Sequence, residues 1–111
     1  MSGRGKRIGS IVRLRDGCLD RYVQLHAEVW PELLELFRRH HVRNFTIFHR
    51  DGYLFSYKEY TGRDYEGDMA ALMQKPLMQE WLRLTDACQE PWRQASPDVL
   101  WADGDAVFYM E

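Results

Sequence analysis

Val42-Arg43-Asn44-Phe45-Thr46-Ile47-Phe48-His49, then Arg50-Asp51-Gly52, then Tyr53-Leu54-Phe55-Ser56-Tyr57-Lys58-Glu59-Tyr60, is the stretch on which the fold turns. Residues 42, 44, 46 and 48 alternate with 43, 45, 47 and 49, the period of a strand with two different faces. Asp-Gly between two such runs is the turn signal of a β-hairpin. The hairpin therefore fixes two neighbouring antiparallel strands in the middle of the chain.

Working outward, Ile8 to Arg15 sets Val12 and Leu14 against Arg13 and Arg15. It reads as a further strand with one wet face. Between it and the hairpin, the spacing predicts a helix from about Leu19 to His40. Val23, Val29, Leu33, Leu36 and Phe37 keep helical intervals, and Arg38, Arg39 and His40 suit the negative end of the helix dipole. Pro31 has no N–H to donate, so this helix must kink or restart near Trp30. After the hairpin, Tyr65 to Met73 and Pro76 to Cys88 read as two more helices, the second opening on proline. Glu90 to Asp103 reads as irregular, and Ala106 to Met110 as a short last strand.

The order is β-α-β-β-α-β with the second helix split, a ferredoxin-like α+β arrangement with helices on one face of an antiparallel sheet. Its other face would be exposed and rich in rings. Pairing two such sheets face to face, as in a dimeric α+β barrel, is the expected remedy.

The chain's 111 residues suit one domain over 7–111, with a flexible tail expected over 1–6, and leave little core to spare for a large cavity. Aromatics make up 14% of the chain, more than one small core readily hides, so some rings are expected at a pocket or an interface. A net charge of −2, with acids and bases interleaved, argues against nucleic acid or an anionic membrane as partner. Cys18 and Cys88 lie far apart in sequence without CxxC spacing and read as reduced thiols of a cytoplasmic protein. The scattered histidines and cysteines lack metal-ligand spacing. No nucleotide fingerprint or Gly-x-Ser-x-Gly elbow occurs, so no cofactor and no metal are expected.

Chemistry concentrates in Tyr22, His26 and Trp30, at i, i+4 and i+8, which one helix would line along one face. Phenol and imidazole can exchange protons or hydrogen bonds, and an indole offers a flat apolar wall. Sugars suit that combination, with hydroxyls around a ring and C–H groups on its faces. The purely structural alternative for His26 is a helix histidine satisfied by solvent or by a neighbouring carbonyl. Trp81 could equally be core or wall.

Several segments together carry a family likeness. His26-Ala27-Glu28-Val29-Trp30-Pro31-Glu32-Leu33 with Tyr22 four places earlier, Asn44-Phe45-Thr46-Ile47-Phe48 with its hairpin, the Trp81–Asp86 helix and Val107-Phe108-Tyr109 resemble the L-rhamnose mutarotase family. The likeness runs over residues 7 to 111 in one register. It implies a cofactor-free isomerase of dimeric ferredoxin-like fold that interconverts the α and β anomers of a sugar. On this chain His26 would be the acid/base residue, Tyr22 a sugar-contacting phenol and Trp81 part of the sugar-binding wall. Where the family carries a tyrosine this chain has Phe45, and where it pairs two tryptophans this chain follows Trp81 with Leu82. Both departures fall at sugar-binding positions and make L-fucose a competitor of L-rhamnose. A cofactor-independent monooxygenase-like enzyme and a non-catalytic small-molecule-binding module are the rivals on the same fold.

Overall fold

The computed structural model describes residues 5–93 and 100–111. Its elements are β1 (Lys6–Leu14), α1 (Leu19–Ala27), α2 (Pro31–Arg39), β2 (Val42–Arg50), β3 (Tyr53–Tyr60), α3 (Tyr65–Met73), α4 (Pro76–Asp86), β4 (Gln89–Glu90) and β5 (Ala102–Asp103). The sheet is antiparallel, in the order β2-β3-β1-β4, with β5 also on β1. The α+β, ferredoxin-like reading holds. Of the expected 1–6 tail, residues 1–4 lie outside the described residues, and Lys6 already pairs with Tyr60 in the sheet.

The long helix expected from Leu19 to His40 is two helices. A proline inside a helix costs about 3 kcal/mol, whereas in a first turn its missing N–H is not needed. Accordingly α1 stops at Ala27, Trp30 adopts an extended conformation at the N-cap, and Pro31 opens α2. Proline at the start of α4 plays the same part.

The hairpin forms as its sequence demands. Asp51 and Gly52 both take positive φ, 52° and 83°, which gives the two-residue turn that matches strand twist. Strict alternation along β2 fails, however. Asn44 has φ 50°, and the register with β3 shifts between Arg43 and Thr46. This bulge moves one residue out of step. Val42 before it and Ile47 after it therefore both pack toward the helices, although simple alternation sets them on opposite faces.

Two corrections concern the C-terminal third. Glu90, Ala102 and Asp103, expected in an irregular stretch, belong to the two short strands β4 and β5, which share the free edge of β1, Leu14 meeting Gln89 and Ser10 meeting Asp103. Residues 94–99 of the stretch expected to be irregular lie outside the described residues. The last strand expected at Ala106–Met110 is absent. The chain leaves β1 after Gly104, whose N–H donates to the Gly9 carbonyl at 2.8 Å, and Tyr109 comes to rest with its ring 3.6 Å from the Arg7 guanidinium. An apolar run forms a strand only where an edge accepts it, and β1's edge is taken up elsewhere.

The core is in two parts. Val12, Leu14, Tyr22, Leu54 and Cys88 pack between the sheet and α1. Leu33, Leu72, Met78 and Trp81 pack among α2, α3 and α4. Each such aliphatic side chain contributes about 1.5–3 kcal/mol of burial. Tyr60 ties α3 down, its hydroxyl donating to Asp68 and accepting from the Asp64 N–H at 2.9 Å.

Candidate functional site

Between the two core clusters lies a cavity of about 1040 Å³, larger than so small a domain was expected to spare. Apolar side chains close each half separately, and the space between helices and sheet is left to mixed residues.

His26 sits at its wall. Its Nδ1 is 2.8 Å from the Tyr22 carbonyl oxygen. A carbonyl can only accept, so Nδ1 carries the hydrogen and the neutral ring keeps its lone pair on Nε2. The bond is the i to i+4 contact that one turn of α1 provides. The imidazole is held on two sides. Tyr22 stacks on it with ring centroids 4.3 Å apart, and Trp81 meets it edge-on at 5.2 Å. A ring clamped in this way keeps its orientation, the first requirement of a proton shuttle.

Tyr22 is buried, and its hydroxyl accepts from Gln89 Nε2 at 3.0 Å. The phenol therefore keeps its own proton to give. Burial pushes its pKa up to about 12; the Gln89 bond pulls against this, and the nearby Cys88 and Asp86 add to the rise. Tyr22 is thus a neutral donor at any physiological pH.

Gln89 was not singled out from the sequence. It is buried, lines the cavity, and its Oε1 has no hydrogen-bond partner among the described residues. A buried acceptor left open calls for an explanation. No periodicity marks this residue in its short edge strand, so only the geometry reveals it.

Of the residues singled out from the sequence, Tyr22, His26, Phe45, Trp81 and Leu82 line this one cavity. Trp30 does not share α1's face. It lies beyond the end of α1 and packs edge-on behind Trp81 at 5.4 Å, as support for the wall. Phe45 reaches the cavity on the same face as Ile47, beside the Asn44 bulge, and meets Phe37 edge-on at 5.5 Å. Among the described residues no three of His, Cys, Asp and Glu converge as metal ligands, and no helix is long and apolar enough to cross a membrane.

The Tyr22 phenol has a consequence for stability. Its neutral form is favoured in the folded chain, so its contribution is complete below pH 10 and is lost as pH rises from 10 to about 12. Chemical denaturation over that range is expected to show the native protein losing roughly 2–3 kcal/mol more than Tyr22→Phe. Parallel stability curves would contradict the placement of this phenol.

Comparison with known proteins completes the picture. The family model described as L-rhamnose mutarotase matches residues 7–110. An L-rhamnose mutarotase of Listeria monocytogenes is 27% identical over 94 residues, covering 83% of this chain and 78% of that protein. Among solved structures, the L-rhamnose mutarotase of Formosa agariphila superposes with a TM-score of 0.76 at 24% identity, over 96% of this chain and 99% of the other. The tetracenomycin F2 cyclase of Streptomyces glaucescens reaches 0.70 at 14% identity, over 96% of this chain and 97% of that one. A fold shared with a polyketide cyclase does not choose a chemistry. The family match across nearly the whole chain does choose one, and this chain belongs to the L-rhamnose mutarotase family.

Proposed function

We propose that the cavity beside His26 is where a 6-deoxyhexose exchanges its anomers, with His26 moving the proton. The clamped imidazole with Nε2 left open is the observation that carries this reading. An anomer inverts by opening the pyranose, rotating the aldehyde and closing on its other face. Opening takes a proton from the anomeric hydroxyl and gives one to the ring oxygen, and closing reverses both. Nε2 accepts the first proton. As imidazolium the same ring donates, and the charge it carries meanwhile lies against the Tyr22 carbonyl and ring. Tyr22 supplies a neutral hydroxyl that steadies a sugar oxygen without taking its proton.

The substrate's faces meet apolar surface. Trp81 forms the wall with Trp30 behind it, and Phe45 and Leu82 offer surface for the C5 methyl of a deoxy sugar. L-rhamnose is the first substrate to test. L-fucose competes, because Phe45 and Leu82 withhold partners that would discriminate between hydroxyl arrangements. The two unbridged thiols, Cys18 and Cys88, suit catalysis in the cytoplasm.

Saturation-transfer NMR on L-rhamnose measures the exchange directly. His26→Ala is expected to lower the catalysed rate by about 10²–10⁴ with circular dichroism unchanged, and Tyr22→Phe to lower it less. Full activity in His26→Ala would remove the histidine from the mechanism.

We further infer a homodimer joined through the sheet face that the helices leave open. Register sets Ile11 opposite Phe55, and Phe55 opposite Phe48, so the three form one apolar row across β1, β3 and β2. Phe48 is 59% exposed and Phe55 39% in the single chain. Val107, Phe108 and Met110 add further exposed apolar surface at the C-terminus. Such a patch on a small protein marks an interface. Light scattering is expected to find a dimer at micromolar concentration and a monomer after Phe48→Glu with Phe55→Glu; a monomeric native protein would contradict the inference.

A further inference from the structure

Beneath the helices the sheet carries polar side chains where a closed core would have apolar ones. The inward positions of β1 are Ile8, Ser10, Val12 and Leu14, and those of β3 are Leu54, Ser56, Lys58 and Tyr60. Register sets Ser10 opposite both Ser56 and Asp103, and Lys58 opposite Ile8 in the next row. Ser10, Ser56, Lys58 and Asp103 all line the cavity.

Their bonding is incomplete in a particular way. Ser10 Oγ donates to Asp103 Oδ1 at 2.6 Å, which orients the carboxylate and leaves its second oxygen open. The Lys58 ammonium lies 5.7 Å from the Phe45 ring centre and 5.9 Å from that of Tyr65. Among the described residues it has no hydrogen bond or ion pair. Burial pushes its pKa down, while the field of Asp103 pushes it back up. Lysine and aspartate thus line one cavity without closing into an ion pair, Lys58 half-buried and Asp103 exposed at its edge. A half-buried ammonium with no acceptor is costly unless something enters to accept from it.

Size and charge say what enters. Tyr22 packs with Val12 and Leu54, one row from Ser10 and Ser56 and two rows from Ile8 and Lys58, and these steps of strand advance about 7 Å and about 13 Å. A pyranose with its hydroxyls fits within that span. One positive and one negative group cancel, so the pair suits a neutral ligand over a sugar acid. A hydroxyl satisfies both, since it accepts and donates at once.

Resting on the sugar reading above, we propose that Lys58 and Asp103 grip one ring hydroxyl of the pyranose between them. The ammonium donates to the hydroxyl oxygen and the carboxylate accepts its proton, while the anomeric end lies at His26. The pair is a specificity determinant for a neutral polyhydroxylated ring and takes no part in proton transfer.

The test compares native protein, Lys58→Met and Asp103→Asn on L-rhamnose and on L-rhamnose lacking in turn its C2, C3 or C4 hydroxyl. Saturation-transfer NMR gives KM and kcat, and circular dichroism checks the fold. Both variants are expected to raise KM for L-rhamnose by ten- to hundredfold, an order-of-magnitude figure for a lost charged hydrogen bond, with kcat little changed. One deoxy sugar, the same for both variants, is expected to show no difference from the native protein. Unchanged KM in both variants, with the native enzyme active, overturns the grip and leaves the mutarotase reading standing. A uronic acid bound more tightly than L-rhamnose also overturns it. If the native protein exchanges no anomers, calorimetry with L-rhamnose decides: binding lost in Lys58→Met supports the grip without the catalysis, and no binding at all overturns both.

Discussion

Proline at position 31 cannot extend the helix begun at Leu19, and much of this site depends on that break. Ending α1 at Ala27 leaves His26 in the last turn, with its Nδ1 on a carbonyl of its own helix. Restarting at Pro31 sets Trp30 at the corner, where it braces Trp81, which in turn meets His26. The break also divides the apolar residues between two clusters, and the cavity is the space that neither cluster fills. A continuous helix would have carried Tyr22, His26 and Trp30 past the sheet as one straight stripe.

The cavity's polar groups run against the interest of a small core. Among the described residues, Gln89 Oε1 is buried without a partner, and Lys58 sits over rings without an ion pair. Each lowers the stability of a domain that has little to spare. Residues kept at such a cost, in one cavity and around one clamped imidazole, are best understood through what binds there. On the opposite sheet face, the row of Ile11, Phe55 and Phe48 leaves two phenylalanine rings exposed in the single chain.

How far the sequence could be read depends on which interactions are local. Alternation plus Asp51-Gly52 sufficed for the hairpin, and Pro31 alone announced the helix break, because both rest on backbone preferences within a few residues. The Asn44 bulge was hidden, since a single left-handed residue leaves no trace in a pattern of period two. The run Ala106–Met110 looked like a strand, but strand formation needs a free edge, and β1's edge is shared by β4 and β5. His26 and Tyr22 stood out by their spacing on one helix. Gln89 and Lys58 did not, because their significance lies in what fails to bond with them, and only packing decides that. The cavity escaped notice for the same reason.

His26 can take a sugar proton only if its hydrogen sits on Nδ1 and leaves Nε2 open. Long-range ¹H–¹⁵N correlation on the neutral ring, without sugar and with L-rhamnose, reads this directly. Hydrogen on Nδ1, held by the Tyr22 carbonyl, and an Nε2 resonance that alone moves strongly when sugar is added are the expected result. Hydrogen on Nε2, or an Nε2 signal indifferent to sugar, would contradict this role of His26.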